Sequence, residues 1–393
     1  MHTQSKFANV VVLAVMGMLL LGGITVAAAE DNAVRAIRAS AATVPTNIPG
    51  IHTYAEPPKG FNPVTATDED LATYGFPARP DKQAKPDQYA QWEQAMKAAK
   101  IRWNGELKRL PFGGRGPIQA DPSRLPEAVH PETGPSVLST SNVSGVILFN
   151  HQTTWSSTKS FNLIQATFSV PVTEFPLGSN CSQDYVNEFT FVGIDDSFAV
   201  GTNGAEVFEP GMVGGVQTAV FCNPSQTTYQ AAFGWAPEAL LATFNVNPGY
   251  AFYTQVIILD ANDGSVFLED LSTLTFETYA VSTCEAGVCT NLRGGDAAWT
   301  VSRGCCEGPG PNGEWPLANT TRIFFTRGLA ETGGGKESYP GSQTESSTEV
   351  LNMMDDNMDQ FTEGVTQGSS GVEGSGALMF ATIGCASSGG CTP

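Results

Sequence analysis

The chain has very few cations where most of its acids lie. Residues 141–393 hold 6 Lys/Arg against 26 Asp/Glu, a balance of −20, while the whole 393-residue chain carries −19. A surface so poor in Lys and Arg excludes electrostatic binding to nucleic acid, which depends on neutralising phosphates. It suits acidic surroundings, where protonated carboxylates repel less. Histidine is scarce too: only His151 follows residue 140, and no Gly-x-Ser-x-Gly turn accompanies it, which argues against a serine hydrolase. Cysteine is absent before Cys181. No paired Cys-x-x-Cys spacing supports zinc at Cys305-Cys306, and no metal or other cofactor is expected. After the first 30 residues, no apolar run is long enough to span a bilayer.

What is present begins with a targeting segment. His2 and Lys6 make a basic start, Val10 to Val26 is apolar, and Ala27-Ala28-Ala29 offers a small-residue cleavage site before Glu30-Asp31. A retained anchor is the alternative, since the run approaches spanning length. The flanks favour a signal peptide over residues 1–29 and a secreted, extracellular chain with no membrane contact after cleavage. The eight cysteines fit export, because an even number in an exported chain suggests disulfides. Cys284/Cys289 and Cys385/Cys391 are each spaced to close a local loop. Asn142-Val-Ser144, Asn180-Cys-Ser182 and Asn319-Thr-Thr321 are glycosylation acceptors in a suitable host.

Residues 30–140 read as a pro-region or N-terminal arm. Most of it is Pro-rich and loop-like, as in Pro57-Pro58-Lys59-Gly60. Asp87 then opens a helical pattern in which Tyr89, Trp92, Met96, Ala99, Trp103, Leu107 and Leu110 recur every three or four positions. The spacing predicts one amphipathic helix over 87–110, ended by Pro111. Lys97, Lys100, Arg102, Lys108 and Arg109 make it basic. A basic helix tethered to an acidic domain is expected to dock there, and to loosen as acid protonates its partner.

From residue 141 the period changes to two. Strands are predicted at 143–149, 161–170, 188–194, 216–222, 227–235, 252–259, 266–271, 274–281, 297–301, 322–326 and 377–383, separated by Gly, Asn, Asp and Pro clusters. Residues 331–375, rich in Gly, Ser and acid, are expected to form long loops. The fold class is all-β: an antiparallel β-sandwich over 141–393, preceded by a partly helical arm. A monomer is expected.

The ordered motifs along 142–330, and more faintly to 383, resemble the eqolisins, the glutamic peptidases. Asn142-Val-Ser-Gly145 is similar to the family's Asn-Trp-x-Gly, and Phe191-Val-Gly-Ile-Asp-Asp196 to Trp-Val-Gly-Ile-Asp-Gly. Val216-Gln-Thr-Ala219 resembles Leu-Gln-Thr-Gly, and Tyr229-Gln-Ala-Ala-Phe-Gly-Trp-Ala-Pro237 resembles Tyr-Asp-Ala-Trp-Tyr-Glu-Trp-Tyr-Pro. Leu268-Glu-Asp-Leu-Ser-Thr273 and Ala298-Trp-Thr-Val-Ser302 continue the match. The resemblance implies a concanavalin-like jelly roll and an acid endopeptidase acting on polypeptides. In it, a glutamate activates water while Gln217 holds that water and stabilises the oxyanion. It also implies substrate contacts at Phe191, Asp195, Gly234 and Trp235.

The departures cluster at the site. Ser302 stands where the catalytic Glu is expected, and a serine cannot act as that base. Cleft tryptophans are replaced by Val143, Phe191 and Ala232, and a glutamate by Gly234. Framework positions such as Gly193, Asp195, Gln217, Tyr229, Trp235 and Pro237 persist. That pattern suits a non-catalytic homologue binding peptide or polysaccharide in the same cleft. Asp296 shares the face of Ser302 by parity, but six residues of strand put it roughly 20 Å away. Glu307 and Glu314 lie on a loop able to fold back. A glycoside hydrolase needs two carboxylates at fixed separation on one face, which the adjacent Glu269-Asp270 do not supply.

Overall fold

In a computed structural model of the chain, the described residues are 36–110, 136–140, 143–150, 152–175, 185–195, 199–200, 206–207, 211–222, 225–235, 240–284, 291–303, 318–321, 323–340, 348–354, 360–366 and 377–380. The targeting segment lies outside them. No helix among them is long and apolar enough to cross a membrane.

Among the described residues, the main strands of the sandwich are β1 (Val143–Phe149), β2 (Phe161–Ser169), β3 (Tyr185–Ile194), β4 (Met212–Cys222), β5 (Ser225–Trp235), β6 (Leu241–Asn245), β7 (Ala251–Ile258), β8 (Asp263–Asp270), β9 (Thr275–Ser282), β10 (Asp296–Arg303) and β11 (Ile323–Thr332). One layer runs β6-β5-β4-β3-β10-β1, all antiparallel. The other runs β11-β2-β7-β8-β9, also antiparallel. Strand β11 joins the layers, pairing first with Ala377–Phe380 and then with β2.

Alternation decides which side chains meet between the layers. Val192, Val216, Phe233, Trp299 and Val301 come from one sheet, and Phe168, Phe252, Val256, Leu268 and Phe325 from the other; all are in one buried cluster. Burying each such side chain contributes about 1.5–3 kcal/mol. The Trp299 indole also donates to the Gln165 carbonyl at 3.1 Å, which satisfies its polar end.

The arm wraps the second layer. Ile51–Tyr54 adds to β9 antiparallel, and Ile101–Arg102 adds to it in parallel. Helices α1 (Asp68–Thr73) and α2 (Pro86–Ala98) lie over the outer face of that sheet. Leu71, Phe76, Trp92 and Met96 of the arm share a buried cluster with Tyr253, Phe267 and Phe276 of the sandwich. The contact of α2 is therefore apolar, and the ionic contacts flank it. Lys85 pairs with Glu331 at 3.3 Å and with Glu337, and Arg102 pairs with Glu277 at 3.0 Å.

Two sequence expectations are corrected. The helix expected over 87–110 ends at Ala98. Pairing with β9 and β6 pulls Ile101–Arg102 and Lys108–Arg109 into strands, so tertiary hydrogen bonds override a helical periodicity. The expected 331–375 loop contains strands Thr348–Met354 and Gln360–Thr366. Thr348–Met354 pairs with β1 and with Ser136–Thr140, so cross-strand pairing makes a strand of a segment whose apolar pairs Val350-Leu351 and Met353-Met354 do not alternate. Cys222 and Cys284 are not free thiols. The other six cysteines lie outside the described residues, and with them the expected Cys385/Cys391 loop and the partner in Cys284/Cys289.

Candidate active site

Register brings the two expected catalytic positions onto one face. Gln217 of β4 pairs with Phe189 of β3, and Ser302 of β10 pairs with the same Phe189 from the other side. Paired residues share a sheet face, so the row Gln230, Gln217, Phe189, Ser302, Val143 is contiguous. Two strand spacings, roughly 10 Å, separate Gln217 from Ser302. This face points away from the inter-sheet core: Phe189, Phe191 and Ala232 belong to a separate buried cluster. Gly215 makes room there, because a Cβ at that position would overlap the Thr190 carbonyl and crowd the Phe191 ring.

The polar groups of the face are buried and only partly matched. The Gln217 amide donates to Asn187 Oδ1 at 2.9 Å. Gln217 Oε1, Asn187 Nδ2, Thr300 Oγ1 and Ser302 Oγ have no hydrogen-bond partner. Unmatched buried polar atoms cost about 1–3 kcal/mol each. The set offers amide N–H and hydroxyl groups able to hold a carbonyl or a water. It contains no group that takes up a proton in mild acid.

Among the described residues, no carboxylate stands in the three rows around Gln217. The flanking rows are Ala232, Gly215, Phe191, Thr300, Gly145 and Thr228, Ala219, Asn187. Glu188 is next in sequence to Asn187, yet alternation turns it into the inter-sheet side with Thr218. It is 1% exposed, and burial pushes its carboxyl up to about 8 against the opposing pull of the Thr320 hydroxyl. Asp296 pairs with Phe149 at the far end of β10, as its sequence distance implied. Glu307 and Glu314 lie outside the described residues.

The expected substrate contacts separate into two groups. Phe191 lies on the outer face with its ring centroid 5.7 Å from that of Phe189, and Gly234 follows on the same face opposite Val213. Trp235 instead packs in the inter-sheet core. Asp195 is fully buried at a positive φ of 55° and accepts the backbone N–H groups of Arg293, Gly294 and Gly295, each at 2.6 Å. Burial raises its pKa while those three donors oppose the rise. Trp235 and Asp195 hold the fold and do not face the site.

Sequence reading missed two contributors. Asn187 sits diagonally across from Gln217, a relation visible only once the register of β3 on β4 is known. Leu110 of the arm is the other. Lys108–Arg109 pairs with β6, the Leu110 N–H donates to the Leu240 carbonyl at 2.9 Å, and the Leu110 side chain packs with Phe189, Phe191, Val213, Ala232, Leu240 and Ala242.

Comparison with solved structures finds scytalido-glutamic peptidase with a transition state analog inhibitor, at 18% identity over 62% of this chain and 98% of that one, with a TM-score of 0.44. The eqolisin SCP-B in complex with the tripeptide Ala-Ile-His is similar at 18% identity over 62% and 98%, with a TM-score of 0.41. Aspergilloglutamic peptidase from Aspergillus niger is similar at 20% identity over 51% and 100%, with a TM-score of 0.37. No curated protein matches the chain. Residues 141–375 match the Peptidase A4 family, the eqolisins, across more than half of the sequence. With the sandwich and its Gln217 face in place, that match makes the chain a member of the Peptidase A4 family.

Proposed function

We propose that the chain is exported as a precursor and that its β4-β3-β10 face receives an extended polypeptide. Residues 30–140 are read as a pro-region that occupies part of this face beforehand. One observation carries the reading: an extended segment of the chain itself adds to the same sheet at β6 and brings one side chain to the apolar cluster of this face. Lys108–Arg109 adds to the edge strand β6, and Leu110 fills the apolar hollow over Phe189 and Phe191. Strand addition with a side chain in a pocket is a general mode of peptide recognition. In this reading Gln217 and Asn187 contact a peptide carbonyl, and a basic N-terminus followed by the apolar run directs secretion.

Binding without turnover is the outcome these groups favour, because Ser302 supplies no base to the water beside Gln217. Glycan binding on the same face lacks the paired acids that hydrolysis of sugars would need. A second reading keeps the endopeptidase chemistry: Glu307 or Glu314 activates water, and Gln217 stabilises the oxyanion. It is favoured by the closeness in sequence of both acids to Ser302, five and twelve residues beyond it.

The test uses the purified precursor and a form beginning near residue 141, incubated with a denatured protein and with a labelled peptide across pH 2–7. Cleavage lost in Gln217→Ala supports the endopeptidase. Saturable peptide binding without cleavage supports the binding homologue. A shortened form that neither binds nor cleaves overturns both.

A further inference from the structure

A cavity of about 720 Å³ opens between the arm and the outer face of the second sheet, on the opposite side of the molecule's sandwich from Gln217. Arg38 contributes a cation to its lining, and Asn162, Gln165 and Gln255 contribute amides from β2 and β7. The guanidinium of Arg38 is 4% exposed. Its Nη2 donates to the Phe76 carbonyl, while its Nη1 has no partner. No carboxylate among the described residues is within ion-pairing distance of it, whereas Arg79 is paired with Asp68 and Lys85 with Glu331. Arginine stays charged in proteins, and a buried charge without a partner is strongly unfavourable.

Acceptors stand unmatched on the same wall. Gln255 is 3% exposed and its Oε1 lacks a donor, and the same holds for Asn162 and its Oδ1. The Gln255 orientation is not arbitrary: its Nε2 donates to Gln165 Oε1 at 2.8 Å, which also accepts the Tyr253 hydroxyl at 3.0 Å. Beside the Arg38 cation, that network leaves the Gln255 oxygen unmatched, and the Asn162 oxygen stands unmatched next to it in the lining. Leu163, Ile257 and Tyr89 add apolar surface between them.

We propose that this cavity binds a free amino acid or short peptide, with its carboxylate on Arg38 and its N–H groups on Gln255 and Asn162. The complementarity is chemical: an anion for the unmatched cation, and donors for the unmatched oxygens, in one small molecule. Arg38 belongs to the arm and the amides to the sandwich, so the ligand bridges them and holds the arm in place. This does not depend on the peptide-binding or hydrolytic role of the Gln217 face.

The experiment titrates the full-length precursor with diglycine, acetate and methylammonium by calorimetry, with the thermal midpoint followed in parallel. Saturable diglycine binding with a raised midpoint is expected, tighter than acetate by tenfold or more. Arg38→Gln should weaken diglycine at least tenfold, and Gln217→Ala should leave it unchanged. If Arg38→Gln does not fold, Gln255→Leu serves instead; it should weaken diglycine and leave acetate as it was. Absence of saturable diglycine binding to the folded precursor overturns the proposal. Equal affinities for diglycine and acetate, or an unchanged affinity in the folded Arg38 or Gln255 variant, overturn it as well.

Discussion

Ser302 and Gln217 flank one residue, Phe189, pairing with it from opposite sides on a single sheet face. Roughly 10 Å between them is room for a carboxyl, a water and an amide in line. The two positions singled out in the sequence thus stand within reach of one bound group.

Restoring the acid is therefore the direct test of that geometry. Ser302→Glu should produce acid-pH hydrolysis of a denatured protein at least 10²-fold above the parent, within the usual contribution of a positioned base. Adding Gln217→Ala should remove about 10²–10³-fold of the gain, the cost of one oxyanion donor. A folded Ser302→Glu protein with no more activity than the parent would falsify the assignment of Ser302 to this role.

Leu110→Asp should free the arm from the site sheet. It places a charge in the hollow lined by Phe189, Phe191 and Leu240 and removes an apolar contact worth about 1.5–3 kcal/mol. Limited proteolysis between residues 99 and 110 should accelerate. Peptide binding to the precursor should strengthen; if neither changes, the segment does not compete for the face.

Arg102 clamps the arm to β9. Its Nε donates to Glu277 at 3.0 Å, and its two terminal nitrogens donate to the carbonyls of Ala55 at 2.7 Å and Tyr74 at 3.1 Å. The pair is nearly dry, with side-chain exposures of 10% and 2%. Arg102→Gln should cost about 3–5 kcal/mol in urea unfolding, since it strands a buried carboxylate. The loss should be greatest above pH 7 and shrink as pH falls below about 7, where Glu277 takes up a proton.

Stability should rise as pH falls from 8 toward 5. Burial pushes Glu188 up to about 8, and it pushes Glu277 up to about 7 against the opposing pull of Arg102. Glu269 is likewise raised by burial and by the neighbouring Asp270. A carboxyl whose folded pKa exceeds its unfolded value binds more protons when folded. Its contribution is complete below about 4.3, the unfolded value, and is lost as pH rises through the folded pKa. Glu337 acts in the opposite sense: its pKa is lowered, with Lys85 and Tyr339 outweighing burial, so its contribution fades as pH falls. Denaturation midpoints at pH 5 and pH 8 check the balance, and Glu188→Gln should flatten the slope. A protein more stable at pH 8 than at pH 5 would contradict it. The same groups revise the expectation that the arm loosens in acid: Lys85–Glu337 weakens there, but Glu277 and Glu269 favour the docked state.

Much of the architecture was legible in the period-two pattern. The strands containing Phe168, Phe191, Gln217, Phe233, Trp299 and Phe325 were all anticipated, because side chains that alternate between a dry core and another face leave their period in the sequence. The segment after Ala98 misled, since Trp103, Leu107 and Leu110 keep a helical spacing while pairing elsewhere determines their backbone. The apolar pairs Val350-Leu351 and Met353-Met354 show no period-two alternation, so their strand was not anticipated; it is set by pairing with β1.

The site divides in the same way. Residue identity alone put an amide at Gln217 and a hydroxyl, not a carboxylate, at Ser302, because chemistry at a position is a property of the residue. Register, which only the folded sheet has, decided the rest. It set Asn187 against the Gln217 amide, turned Glu188 into the core although it is Asn187's neighbour, moved Trp235 and Asp195 away from the face, and seated Leu110 upon it. In a sheet, adjacency across strands is set by pairing, and a shift of one residue exchanges the two faces.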